Sequence, residues 1–313
     1  RSRTALPFLL AYKTEEDRAN ACNVMAQGSI GSLKSALGLI ASRFGASLPL
    51  KACAACMKRD REEYGVPLWH IEHQLPGVWI CQQHGVVLSY STSKQSGQAR
   101  YQWLLPDQDD LKEGWIASAS TPATAATDFL KKIANAVEGI HRLSKEEPMC
   151  PQRTALALRG QLANLRLAAA SGRIRQRESS AQFCGQMRCV HAIRELSSIA
   201  STESSAYAQI MGLLSAHDGG CHPLRVATAV AWLFGSWVEF LEKYKVCGMP
   251  EQTSAVEGVV ERVLDPRRKT LLGLIHKGAS VTSAAKEIGV QVATAQAWAA
   301  QAGVGVSKRP SAI

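Results

Sequence analysis

Four residues of the chain have the types and spacing of a metal site. Cys53-x-x-Cys56 is followed, after twenty-four residues, by Cys81-x-x-His84. Zinc takes four soft or borderline ligands in a tetrahedron, and a two-residue gap lets one tight turn present both side chains of a pair to the same ion. Two such turns close the site. Three thiolates and one imidazole leave no position open for water, so the zinc expected at Cys53, Cys56, Cys81 and His84 is structural and not catalytic. His70 and His73 lie between the pairs. With the tetrahedron already complete, both are expected beside the ligands or in the core.

The elements that must bring the pairs together are legible around them. Gln74-Leu75-Pro76-Gly77 reads as a turn, with Pro fixing one φ and Gly free to take a positive one. Residues 78–80 read as a short buried strand entering the second pair, and residues 86–88 as the strand leaving it. The fold class expected for the whole chain is mainly α, with a small zinc-finger and β-ribbon core domain followed by helical domains carrying helix-turn-helix motifs.

The stretch LPLKACAACMKRDREEYGVPLWHIEHQLPGVWICQQHGVVL resembles the zinc-finger region of the TniQ/TnsD family of transposon target-selection proteins. The residues that carry the resemblance are Cys53, Cys56, Asp60, Tyr64, Gly65, Trp69, His73, Gln74, Leu75, Pro76, Gly77, Cys81, His84, Gly85 and Leu88. It extends loosely over residues 150–245, where HPLRVATAVAWLFGSWVEFL is similar to a segment of the longer, TnsD-like members. The resemblance implies a protein that selects a DNA attachment site and recruits an AAA+ ATPase regulator, which in turn brings the transposase. It also implies a further segment ahead of Arg1, so the chain reads as N-terminally truncated relative to that family.

The 313-residue chain has room for two or three domains, and its net charge is +10. Residues 153–194 hold eight Arg against Glu178, or +7, and residues 260–313 hold eight Lys or Arg against three acids, or +5, which leaves −2 elsewhere. Two basic blocks point to a polyanion, and double-stranded DNA is the natural one. Nine cysteines without a regular framework fit a reducing compartment, and a bacterial cytoplasmic, nucleoid-associated protein is expected. The longest uncharged apolar run, residues 226–238, is too short to span a bilayer, so no membrane partner is expected.

In order, residues 1–47 read as a helical lead-in with helices over 15–27 and 31–43, and 48–92 as the zinc finger. Residues 93–147 read as linker plus an amphipathic helix over 125–143, with Phe129, Ile133, Val137 and Ile140 on one face. Residues 148–247 read as a helical domain. There a helix over 154–170, a break at Ser171-Gly172, and a second helix from Arg173, Arg175 and Arg177 suggest an arginine-rich helix-turn-helix. Residues 204–217 and 223–245 read as two long apolar helices. Cys184, Cys189, His191, Cys221 and His222 could make a second metal site, but their irregular spacings and apolar surroundings favour buried free thiols.

A linker leads to a C-terminal helix-turn-helix over 260–313: helix 269–276, a second helix capped by Ser280 or Thr282, a Gly289 turn, and a recognition helix over 292–301. Leu272, Ile275, Ala284, Ile288, Val290 and Trp298 are its expected core. Thr294 and Gln296 are the expected base readers, with Arg267, Arg268, Lys269 and Lys277 on phosphates. The chain has no H-E-x-x-H and no phosphate-cradling glycine loop, and no reaction is assigned to it. Two other readings fit the same features: an adaptor to an RNA-guided CRISPR effector, and a zinc-finger transcription regulator.

Overall fold

The computed structural model describes residues 4–27, 44, 49–92, 104–114, 123–215, 221–247, 267–276, 279–292, 294, 295 and 298. The chain is mainly helical. It divides into two compact units, Arg1–Cys247 and Gly248–Ile313. The partition expected within the first 247 residues is therefore finer than the packing. The joint near residue 148 is tied rather than hinged: the Met149 N–H donates to the Ala11 carbonyl at 2.7 Å, and the Cys150 N–H to the Tyr244 hydroxyl at 2.8 Å.

The first unit opens with α1 (Leu6–Leu9) and α2 (Glu15–Ala26). Thr14 caps α2 by accepting from the Asp17 N–H, and three acids occupy its first turn, where the helix dipole favours them. Arg18 of α2 is buried and donates to the carbonyls of Leu10 and Ser144. The helix expected over 31–43 lies outside the described residues. A small antiparallel sheet joins β1 (Lys51–Ala52), β2 (Ser89–Ser91) and β3 (Leu111–Lys112), with Lys51 opposite Tyr90 and Tyr90 opposite Lys112. Between β1 and β2 lie α3 (Ala54–Tyr64) and the short α4 (Ile71–Gln74).

The helical part is built on α5 (Ala123–Glu146), whose Phe129, Ile133, Val137 and Ile140 are all buried at the expected spacing. It packs against α1 and against α9 (Pro223–Leu233). Gly139 lets α10 (Trp237–Val246) approach, because a Cβ there would sit 2.2 Å from the Trp237 ring. The remaining helices are α6 (Pro151–Asn164), α7 (Gln176–Arg188) and α8 (Glu203–Leu214), with α7 packed on α8.

Two expectations about helices need correction. The single apolar helix over 223–245 is two helices bent by 104°. Phe234 leaves helical φ/ψ, Ser236 caps α10 by accepting from the Glu239 N–H, and Glu239 reaches back to the Gly235 N–H, so a new N-terminus is written into the break. No single helix is long and apolar enough to cross a membrane. The helix over 154–170 stops at Asn164, so no tight helix-turn-helix forms at 154–177. Arg166 takes a φ of 58°, and residues 167–175 form a small hairpin around the Ala168–Ile174 bridge, turned at Gly172 with φ 79°.

In the second unit, α11 (Arg267–His276) is followed by α12 (Val281–Glu287). Ser280 caps α12 by accepting from the Ser283 N–H, and Gly289 turns with φ 69°, both as expected. Residues 292, 294, 295 and 298 are helical. The small core centres on Leu271, Ala284, Ala285 and Ala295, with Ile275, Ile288, Val290 and Trp298 against it. Leu271 is fully buried there, whereas the expected Leu272 is only half-buried.

Candidate metal centre

The first pair of ligands is set by a strand-to-helix transition. β1 ends at Ala52, and Cys53 is the N-cap of α3 with extended φ/ψ. Cys56 follows in the first turn, where the helix dipole favours a thiolate. The second pair sits in a hairpin turn. Ile80 bridges Val87, the Cys81 N–H donates to the Val86 carbonyl, and the Gly85 N–H returns to the Cys81 carbonyl at 2.7 Å. Gly85 has a φ of 67°, which lets the chain reverse immediately after His84. The strands expected over 78–80 and 86–88 are thus the two arms of one knuckle.

The ligand atoms of Cys53, Cys56, Cys81 and His84 all lie within 4.8 Å of one another. His84 Nδ1 is 3.5 Å from Cys53 Sγ, 3.3 Å from Cys56 Sγ and 3.5 Å from Cys81 Sγ, and the Cys56 and Cys81 sulfurs are 3.7 Å apart. A zinc tetrahedron with Zn–S of about 2.3 Å and Zn–N of about 2.05 Å has S–S edges of ~3.8 Å and S–N edges of ~3.6 Å. The donor set therefore fits that ion in type and in spacing. The three thiols are buried and His84 faces outward.

Without a cation, the electrostatics oppose thiolates at this cluster. Burial, then the neighbouring thiols, push the Cys56 thiol well up, and burial pushes up Cys81. Backbone N–H groups of His84 and Gln83 work against the rise at Cys81. Three thiolates packed this closely repel one another, and a divalent cation at their centre reverses that cost.

The residues around the ligands hold the turns. His73 is buried with Nε2 3.9 Å from Cys56 Sγ, and desolvation, with His70 nearby, lowers its pKa to about 4, so it stays neutral. Asp60 is fully buried on α3. Burial would raise its pKa, but hydrogen bonds from His70 Nε2 at 2.7 Å and the Leu68 N–H at 3.2 Å outweigh it and hold it low. These bonds fold the Tyr64–His70 loop back onto α3, after a left-handed cap at Gly65. The Gln74 amide replaces a missing strand beside β1: its Oε1 accepts from the Lys51 N–H and its Nε2 donates to the Lys51 carbonyl.

Sequence reasoning missed the joint between this centre and the helices. Lys51 is completely buried, with Nζ 3.4 Å from Glu195 Oε1, 3.2 Å from the Leu75 carbonyl and 5.0 Å above the Trp79 ring. The other Glu195 oxygen accepts from the Gly77 N–H at 2.6 Å. Gly77 has a φ of 80°, and a Cβ there would meet Leu224 Cδ1 at 2.6 Å. The Leu-Pro-Gly turn is thus the place where the knuckle docks on α9 and on the segment after α7. Glu195 closes a basic stretch, and nothing in its local sequence marks it as the partner of Lys51.

The basic blocks divide by role. Arg153 donates to the carbonyls of Tyr244, Lys245 and Cys247 and stacks on Tyr244, and Arg159 donates to the Leu214 carbonyl. These two cap the C-termini of α10 and α8. Arg173, Arg175 and Arg177 are exposed, as are Arg166, Arg188 and Arg194, and none of the six is in an ion pair among the described residues. Arg173 and Arg175 flank the buried Ile174, so on this extended arm they share the outer face. In the second unit Arg267 is exposed and Thr294 half-buried. The side chains of Arg268 and Lys269, and all of Lys277 and Gln296, lie outside the described residues. Among the described residues the other cysteines and histidines form no second metal cluster.

No protein-family model matches the chain, and no curated protein matches it.

Proposed function

We propose that the chain is a zinc-stabilised, sequence-specific DNA-binding target selector of transposition, which recruits an AAA+ ATPase regulator and through it a transposase. The observation that carries DNA binding is the arginine hairpin. Arg173, Arg175 and Arg177 are exposed at the start of α7, next to its positively polarised N-terminus, with Glu178 as the acid in its first turn. Like charges gathered at the positive end of a helix destabilise the free protein by tenths of a kcal/mol each, and a phosphate backbone reverses the sign. In this reading the hairpin grips the backbone, and the α11–α12 unit with the helical residues after Gly289 forms the helix-turn-helix that reads bases. The metal is zinc, and its work is structural, because the four protein ligands leave no open position.

The test is a gel-shift with purified protein, no guide RNA, and a salt series. Selective binding that weakens steeply with salt is expected. Replacing Arg173, Arg175 and Arg177 with Ala should remove up to three phosphate contacts and reduce the log–log salt slope by ~3, at about 0.9 per contact. An unchanged slope refutes the hairpin as the backbone grip. Selective binding that appears only with an RNA-guided effector supports the adaptor reading instead.

A further inference from the structure

A cavity of about 180 Å³ lies between the segment after α1 and helices α6, α8 and α9, away from the metal centre. At ~30 Å³ per water it has room for about six waters. Tyr12 and Thr154 form its floor, both buried, with hydroxyls 3.1 Å apart. Thr154 donates its proton to the Cys150 carbonyl at 3.0 Å, so Tyr12 donates to Thr154 and neither hydroxyl has a proton left for the cavity. The mouth is on α8, where Ala208 and Gly212, one turn apart, are exposed and too small to close it.

Two donors on the wall lack partners. Gln209 Oε1 accepts from the Ala200 N–H at 3.2 Å, which fixes the amide, and Nε2 is buried with no partner. Arg225 Nε is also buried without a partner; the guanidinium lies over Phe44 at 5.7 Å and forms no ion pair among the described residues. No carboxylate is among the described lining residues. Neither Cys221 nor Tyr12 can act as the counter-anion: burial pushes the Cys221 thiol up to about 12 and holds Tyr12 well above its ordinary value. A cation and an amide donor, partly desolvated and unpaired beside an open cavity, are what an anion site presents when empty.

We propose that this cavity binds a small organic monocarboxylate, held at its carboxylate by Arg225 and Gln209. One guanidinium balances one negative charge, and a planar carboxylate has acceptor sites for both a guanidinium and an amide N–H. A phosphate dianion would bring a second charge that no further cation among the described lining residues meets. The rest of the wall, including Pro151, Leu213 and Val226, is apolar and accommodates a short hydrocarbon body.

The experiment is thermal unfolding of the full chain against rising butyrate at constant ionic strength, with inorganic phosphate as the contrast and saturation-transfer NMR reporting contact with the butyrate methyl. A saturable rise in Tm is expected with butyrate and not with phosphate. Arg225→Met keeps the aliphatic stem and should raise the apparent Kd by ~10–100-fold, the scale of one charge-assisted hydrogen bond. The unliganded R225M protein should be no less stable than the parent, because it loses an uncompensated charge. Ala208→Phe, at an exposed site that does not threaten folding, should block the mouth and abolish the response on its own. A Tm indifferent to butyrate, an undiminished response in A208F, or phosphate matching butyrate overturns the proposal.

Discussion

Replacing Glu195 with Gln tests the joint between the metal centre and the helices. The substitution keeps an acceptor for the Gly77 N–H but removes the charge facing Lys51, which has no water to turn to. Breaking a buried pair by neutralising one partner costs ~3–5 kcal/mol, because the other charge stays buried. At ~2–4 °C per kcal/mol for a unit of this size, Tm should fall by ~6–20 °C. The pH dependence follows from Lys51. Burial lowers its pKa, and Glu195 partly restores it. With its folded pKa below the unfolded one, the folded state holds fewer protons between the two, so stability rises with pH up to the ordinary lysine range near ~10.4. Without the carboxylate the folded pKa drops further and this window opens at lower pH. The cost of E195Q, taken as a difference from the parent at each pH, should therefore shrink from pH 7 to pH 9.5. Urea unfolding at both pH values measures it. A cost under ~1 kcal/mol at pH 7, or one that grows with pH, would refute the reasoning.

Other outcomes follow from the same contacts. Cys81→Ser should lose the metal and loosen residues 51–91, read by metal analysis and amide exchange; full metal occupancy in that variant would refute the ligand set. Gly139→Ala puts a methyl 2.2 Å from the Trp237 ring and should cost ~1–3 kcal/mol in denaturant unfolding as α5 and α10 are forced apart. Deleting residues 260–313 should leave weakened but still selective DNA binding in a footprint at one salt concentration. One bidentate base contact supplies only ~1–3 kcal/mol of discrimination, so selectivity must be shared. Selectivity wholly lost or wholly kept would show that it is not.

The parts of this molecule that are local in sequence were legible there. The two ligand pairs, the Gln74–Gly77 turn, the buried stripe of α5, and the Ser280 cap with its Gly289 turn are each encoded within a few residues and require no knowledge of the rest of the chain. What escaped was encoded at a distance or against local preference. Arg153 and Arg159 count as charge in the sequence, but in the structure they cap helices about ninety and fifty-five residues away. The break between α9 and α10 sits in a run that is apolar throughout, and a Gly-Ser pair with a glutamate three residues on outweighs that hydrophobic continuity. The 167–175 hairpin is alanine-rich, and propensity alone extends α6 through it. The bridge to Ile174 supplies backbone partners that local propensity does not show.

The Lys51–Glu195 joint also sets an order of events during synthesis. The four candidate ligands span 32 positions and leave the ribosome together, so the knuckle can close early. Lys51 then remains charged and hydrated, because its partner is 144 residues further along the chain, and the Gly77 amide waits for the same carboxylate. Docking is thus a late, non-local step that pays loop-closure entropy after the knuckle has formed. In pulse-labelled hydrogen exchange during refolding, the Cys81 and Leu88 amides, bonded within the knuckle, should gain protection before the amide of Gly77.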